Sequence, residues 1–195
     1  MDNLWNGVNI MAAIQQMLLM GSMAAATYAT WNPLDEGSNI ALYGGNLEVS
    51  VSSGWSGVRG TISKSTGKWY FEVYCNYAST GGDVMIGIST SFANLNTWGS
   101  TTSSWTYYSM GDIYGYGSYG ATYVTGDTIG VAIDFDADTI TFYKNNTSQG
   151  TVSITASQVW FPSVFVYPPA DITANFGATA FTYSPPSGYN AGFYE

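Results

Sequence analysis

The stretch 126–146 constrains the fold of this chain more than any other. Every second residue from 129 to 135 is apolar, and Ile140 and Phe142 repeat the alternation after the short acidic segment 136–138. Alternation with a period of two is typical of a strand that buries one face of apolar residues and has small or solvent-exposed residues on the other face. The stretch therefore predicts a two-stranded β-hairpin.

From Trp31 to the end of the chain, short strand patterns and turn signals follow one another without interruption. Segments rich in Gly, Asn, Ser and Thr, such as 44–46, 65–67 and 80–83, separate about a dozen candidate strands. Many short strands at close spacing are typical of an all-β antiparallel sandwich or barrel. We find no internal repeat and no domain linker in this part, so residues 31–195 are predicted to form one β domain.

Composition excludes several classes of function. Charged residues make up only 9% of the chain, and four Lys plus Arg against thirteen Asp plus Glu give a formal net charge of −9. Such a chain repels a phosphate backbone, so we expect no nucleic acid partner. It has no His, and Cys75 is its single thiol and alternates in phase with apolar neighbours. We therefore predict a non-enzymatic protein with no catalytic residues, no metal and no other cofactor.

Three aspartates at alternate positions, Asp134, Asp136 and Asp138, resemble the opening of a calcium loop. An EF-hand loop needs Gly at its sixth position and Glu at its twelfth, where this chain has Thr139 and Asn145. A hairpin turn in which Asp136 and Asp138 accept hydrogen bonds from turn amides is the favoured interpretation. A weak oxygen-ligand ion site stays open as the alternative.

The first thirty residues differ from the rest, and we treat 1–30 as a separate helical segment. Apolar residues recur there at spacings of three and four, which predicts a helix over about 8–20. The apolar stripe comprises Ile10, Met11, Ile14, Met17 and Leu18. Asp2 is the only early charge, which argues against a secretory signal, and Gln15 and Gln16 interrupt any membrane span. We expect the stripe to anchor the chain in an assembly, with packing on its own β domain as the alternative.

Four blocks, in this order, resemble the SPRY domain family: 65–73 (STGKWYFEV), 84–88 (VMIGI), the hairpin 126–146, and 174–177 (ANFG). The resemblance implies a twisted sandwich of two antiparallel sheets, with partner-binding loops along one edge. The family often has Gly where this chain has Asn146, so the turn there is expected to be longer or asymmetric. The segment 29–35 (ATWNPLD), which opens the β domain, and the Ser-, Thr-, Asn- and Gly-rich loops are similar to SPRY modules of bacteriophage structural proteins.

Aromatic residues are the candidates for ligand binding. Trp and Tyr provide large rigid contact areas with a polar tip, and they dominate binding energies. The loop 91–104 adds amide and hydroxyl groups to such rings, and a second Trp lies in the Gly- and Ser-rich loop 53–57. We predict ligand contacts from Trp55, Asn94, Asn96, Trp98, Tyr114 and Tyr116.

These features lead to one main hypothesis and two alternatives. The main hypothesis is a structural or attachment protein located in a virion, as a phage capsid decoration, tail or fibre component. Its expected partners are other virion proteins, further copies of itself, and a host surface protein or glycan. The first alternative is a stand-alone carbohydrate-binding module, and the second is an intracellular peptide-binding adaptor.

Overall fold

A computed structural model describes residues 25–99 and 102–195. The predicted N-terminal helix and its apolar stripe, Ile10, Met11, Ile14, Met17 and Leu18, lie outside the described residues. Within the described ranges the chain forms strands and turns, with no α-helix. The prediction of an all-β architecture is therefore confirmed for this part of the chain.

Fifteen strands make up the described body. They are β1 (Trp31–Glu36), β2 (Ile40–Tyr43), β3 (Glu48–Val51), β4 (Ser56–Gly60), β5 (Lys68–Tyr77), β6 (Val84–Ser89), β7 (Ser104–Tyr108), β8 (Asp112–Ile113), β9 (Gly117–Ser118), β10 (Thr128–Asp134), β11 (Thr139–Lys144), β12 (Thr147–Ser153), β13 (Phe161–Val166), β14 (Asp171–Asn175) and β15 (Asn190–Ala191).

These strands pair into two sheets that pack face to face. One sheet has seven strands in the order β1-β4-β13-β6-β7-β8-β9. The other has the order β12-β11-β10-β5-β14-β3-β2, with β15 added parallel to β5. All other pairings are antiparallel. The two-sheet antiparallel sandwich expected from the sequence is therefore confirmed.

The β10–β11 hairpin forms as predicted, with Asp134 opposite Thr139 at its closed end. The backbone N–H groups of Asp136 and Ala137 both donate to Oδ1 of Asp134, at 3.1 Å each. Asp136 instead uses its own Oδ1 to accept a hydrogen bond from the N–H of Gly67, at 2.8 Å. Asp134, at the end of the first strand, is therefore the residue that caps the turn.

The turn that follows β11 contains only Asn145 and Asn146, because Lys144 already pairs with Thr147. Both asparagines have positive φ angles, 47° and 66°. Two successive left-handed residues are typical of the tightest hairpin turns, and Asn tolerates that conformation. The longer turn expected at Asn146 is therefore wrong, whereas the asymmetry is present as a register shift between residues 142 and 143.

The core between the sheets is rich in aromatic side chains. Its largest fully buried members include Trp31, Trp160, Tyr107, Tyr123, Phe71, Phe142, Phe176 and Phe193. Cys75 is buried among them, and burial raises the pKa of its thiol to about 12. The thiol is thus a small uncharged core group, as its phase in the sequence predicts.

Both ends of the described body meet on one side of the sandwich. Thr27 and Glu195 exchange two backbone hydrogen bonds of 3.0 Å, and the N–H of Ala29 donates to the carbonyl of Phe193 at 2.8 Å. The described contacts of the body thus begin before Trp31. The division of the chain between residues 30 and 31 stays a prediction, because most of the first segment lies outside the described residues.

A buried carboxylate fastens the C-terminal segment to the eight-stranded sheet. Glu72 lies on β5 and accepts hydrogen bonds from the N–H groups of Thr182 and Tyr183, at 2.8 and 2.9 Å. The hydroxyl of Tyr70 donates to the same carboxylate at 3.0 Å. Because Glu72 is only 2% exposed, water cannot replace these donors.

We expect Glu72→Ala to lower the free energy of unfolding by about 2–3 kcal/mol, because three donors lose a charged acceptor. Urea unfolding followed by fluorescence measures the change. Glu48→Ala is the matched control, since Glu48 is exposed on β3 of the same sheet, and its effect should stay within about 0.5 kcal/mol. Equal losses in the two variants would show that the Glu72 contacts do not hold the segment.

Candidate functional site

The outer side of the seven-stranded sheet carries a small apolar cluster of its own. Met85 and Phe165 contribute from paired strands, and Ala93 and Leu95 contribute from the loop that covers them; all four are buried. Gly57 lies opposite Phe165, and a Cβ at this position would come within 2.5 Å of the Phe165 ring. The segment 90–99 is therefore packed onto the sheet.

Arg59, on β4, attaches this loop to the sheet. Its Nε and Nη2 atoms donate to the two carboxylate oxygens of Asp35 at 2.7 and 2.8 Å. Its Nη1 donates to the backbone carbonyls of Thr90 and Ala93 at 3.1 and 3.0 Å. The guanidinium is buried, and a two-point pair of this geometry fixes both direction and distance. One side chain thus ties β1, β4 and the loop together.

The two asparagines predicted as ligand contacts shape the loop. Asn94 Oδ1 accepts a hydrogen bond from the N–H of Asn96 at 2.9 Å. Asn96 Oδ1 accepts from the N–H and the hydroxyl of Ser38, at 2.8 and 2.9 Å. Between them, the carbonyl of Leu95 accepts from the N–H of Gly57 at 2.8 Å. Contact of Asn94 and Asn96 with a ligand stays a prediction.

Five rings gather beside this loop, and we call them the aromatic face: Trp55, Trp98, Tyr108, Tyr114 and Tyr167. Trp55 is central, with ring centroids 6.3 Å from Trp98, 6.1 Å from Tyr108 and 5.7 Å from Tyr167. Tyr114 joins through Trp98, at 5.9 Å. Trp98 and Tyr167 remain 50% and 44% exposed. The face therefore offers a large apolar area whose rings support one another.

Tyr116, the sixth residue of the predicted set, is placed elsewhere. Its ring stacks on Trp105 with a centroid distance of 4.4 Å and an interplanar angle of 13°. The pair lines a cleft of about 300 Å³ between β9 and β12, the edge strands of the two sheets. The structure thus brings together Trp55, Trp98 and Tyr114 and assigns Tyr116 to a separate cleft.

Two members of the aromatic face, Tyr108 and Tyr167, are absent from the set predicted by sequence. Tyr167 directly follows β13 and precedes Pro168 and Pro169. A ring between a strand end and a proline turn is a usable signal of exposure. Tyr108 has a weaker signal, because it alternates with the core residue Tyr107 and therefore points to the outer side of the sheet.

Two carboxylates lie next to the aromatic face. Asp112 is placed on the outer side of the sheet by alternation with the core residue Ile113. Asp83 is buried; its Oδ2 accepts from the N–H of Ser79 at 2.8 Å, and its Oδ1 has no partner among the described residues. Burial first, and then the charges of Asp83 and Asp112, raise the pKa of Tyr108. Both carboxylates therefore act on the face.

Within residues 25–99 and 102–195, no group of three or more His, Cys, Asp or Glu side chains is arranged to hold a metal ion. In the same ranges no helix has the length and apolar character needed to cross a membrane. The candidate site consists of packed rings, loop amides and flanking carboxylates.

Residues 68–179 match the family described as SPRY domain. This chain belongs to that family. The SPRY fold is also found in solved structures: the SPRY domain of human HERC1 superimposes with a TM-score of 0.63 at 19% identity, covering 74% of this chain and 96% of that one. The TRIM65 PSpry domain gives a TM-score of 0.58 at 18% identity, covering 76% of this chain and 90% of that one.

Curated relatives of this SPRY chain are cellular proteins of vertebrates. Ran-binding protein 9 of Xenopus laevis is 31% identical over 173 residues, which cover 79% of this chain and 31% of that protein. The ATP-dependent RNA helicase DDX1 of Xenopus laevis is 30% identical over 181 residues, which cover 82% of this chain and 22% of the helicase. The chain thus spans less than a third of the length of these relatives.

These relatives correct the main functional hypothesis. A virion attachment protein, a bacteriophage type of SPRY module and a virion location are all wrong, because the relatives are eukaryotic Ran-binding proteins and a helicase. Virion proteins and glycans find no support as partners. The error has a physical origin, since Gly-, Ser- and Thr-rich loops of low charge serve any exposed sandwich and do not indicate where it is used.

We expect Asp35→Asn to lower the free energy of unfolding by about 3 kcal/mol, because it leaves the buried Arg59 without its charged partner. The segment 90–99 should also exchange its amide hydrogens faster, as measured by mass spectrometry. Asp138→Asn removes the same charge at a hairpin turn and serves as the control. Unchanged exchange in 90–99 after Asp35→Asn would contradict the role assigned to Arg59.

Proposed function

We propose that this SPRY domain is a protein-interaction adaptor that holds a peptide segment of another protein on its aromatic face. The observation that carries the proposal is the gathering of Trp55, Trp98, Tyr108, Tyr114 and Tyr167 on one side of a rigid sheet, with two of the rings about half exposed. We further infer that the domain binds without chemistry of its own.

The rings have the properties of binding anchors. Trp and Tyr combine a large apolar area with a polar tip, and few torsions are lost when they are fixed in a complex. Here the exposed rings of Trp98 and Tyr167 both pack on Trp55. Their positions are therefore set before a partner arrives, which lowers the entropy cost of binding.

Two further apolar side chains extend the surface. Leu34 is 95% exposed and Phe92 is 87% exposed. Each directly precedes a residue that Arg59 binds, namely Asp35 and Ala93. The guanidinium thus holds the backbone next to two exposed apolar side chains, at the border of the loop 90–99. An extended segment several residues long finds apolar contacts there in addition to the rings.

The relatives support binding of protein rather than a role in a virion. Several of them are named Ran-binding protein 9 or 10, in frogs, fish and mammals. This name describes a protein partner of those proteins. For this chain we carry over only the class of activity, which is recognition of another protein.

The test is a displayed library of random 12-residue peptides selected on the full chain. We expect enriched peptides whose binding weakens about tenfold or more with Trp98→Ala or Tyr167→Ala, since exposed ring anchors dominate such interfaces. Binding is measured by fluorescence polarisation of the labelled peptides. Tyr43→Ala is the matched control, because Tyr43 is an exposed ring on β2 of the other sheet.

Two results would contradict the proposal. One is that no peptide is enriched on the wild-type chain relative to Trp98→Ala. The other is that Tyr43→Ala abolishes binding while both aromatic-face variants retain it. The unfolding midpoints of all variants are compared first, so that loss of binding is not mistaken for loss of fold.

A further inference from the structure

The carboxylates beside the aromatic face have no cationic partner within the described residues. The carboxylate of Asp112 has neither a hydrogen bond nor an ion pair there, and Asp83 uses one oxygen for the N–H of Ser79 and leaves the other buried without a partner. A buried carboxylate oxygen without a donor is costly, and ordinary proteins rarely leave one in this state. The border of the aromatic face is thus negatively charged, and one of its carboxylate oxygens has no hydrogen-bond donor among the described residues.

The chain has no cation of its own to supply. Its four Lys and Arg residues are all described, and each is engaged elsewhere. Arg59 binds Asp35, Lys68 binds Asp134 at 2.8 Å, and Lys144 binds Asp127 at 3.2 Å. Lys64 lies over the ring of Trp69 at 4.2 Å.

We propose that the peptide segment bound by the aromatic face presents a Lys or Arg side chain, whose head group pairs with the partly exposed Asp112 beside the buried charge of Asp83, while its stem lies on the rings. This inference rests on the proposed function and names the chemistry of the partner. The alkyl stem of Lys or Arg covers apolar surface while the head group stays polar. A cation over Trp or Tyr gains further attraction, and Arg also stacks on the ring.

Charge also selects against other segments. An acidic or phosphorylated segment would bring like charge to Asp83 and Asp112 and would be repelled. A purely aliphatic segment would cover the rings but would shield Asp112 from water without giving it a partner. A net charge of −9 on the whole chain adds attraction at long range, which falls as salt is added.

The test uses the same random 12-residue peptide library and the full chain. We expect Arg and Lys to be enriched in the selected peptides relative to the input library. Replacing the enriched Arg by Gln in a synthetic copy should weaken binding to the wild-type chain about three- to tenfold. The same replacement should change binding to Asp112→Asn less than about twofold.

Asp138→Asn is the matched control, since it removes one negative charge at the β10–β11 turn and leaves the aromatic face intact. It should discriminate Arg from Gln as well as the wild-type chain does. Its behaviour separates a local pair at Asp112 from the general attraction of an acidic protein. Equal loss of discrimination in the two variants would overturn the inference.

The failure of this inference can be told from the failure of the proposed function. If the selected peptides are neutral or acidic and their binding depends on Trp98, the function stands and the inference is wrong. If no peptide is enriched relative to Trp98→Ala, the function is wrong and the inference falls with it. Asp112 is partly exposed, so the Asn variant is expected to fold, and its unfolding midpoint verifies this.

Discussion

A buried guanidinium is the interaction on which the candidate surface depends. Arg59 cannot lose its charge and is only 5% exposed, so the fold must supply acceptors for it. Asp35 supplies two oxygens, and the loop that follows β6 supplies two carbonyls. With these acceptors in place the loop lies over the sheet. Leu95 then packs in the outer apolar cluster, and Trp98 lies beside Trp55. The position of Trp98 in the aromatic face is thus linked to one buried charge.

Local patterns were sufficient to predict the sandwich, because its central strands place β-branched or aromatic residues towards the core at every second position, even in β6 and β10, which are buried on both faces. β5, β6, β10 and β11 all follow such patterns. β1 offers no such pattern, because it contains Pro33 and three acidic or amide side chains and pairs on one side only, as expected of an edge strand. β9 and β15 have two residues each, too few for any period to be read. β15 forms by pairing with β5, which lies far away in the sequence, whereas β9 forms through a tight hairpin with β8.

The candidate site was only partly predictable. The loops that carry Trp55 and Trp98 have a clear composition, so both rings could be selected from the sequence. The contact of Trp55 with Tyr167 could not be predicted, because it requires β4 and β13 to be neighbours, and the two are about a hundred residues apart in the chain. Tyr116 lies apart from these rings, since the tight turn between β8 and β9 places it on Trp105, and its contact with a ligand stays a prediction. Ring content is local, whereas ring clustering is a property of the topology.

Affinity and selectivity are carried by different groups in this arrangement. The rings of Trp98 and Tyr167 are already packed on Trp55, so a partner gains apolar contact at little further cost in entropy. Such rings accept almost any flat or apolar side chain and do not discriminate by themselves. Discrimination needs a charge whose wrong partner is repelled, and Asp83 and Asp112 lie where such a charge acts. Few residues of this chain are charged, so two carboxylates without a cationic partner beside the aromatic face make that surface locally negative and favour a cationic partner.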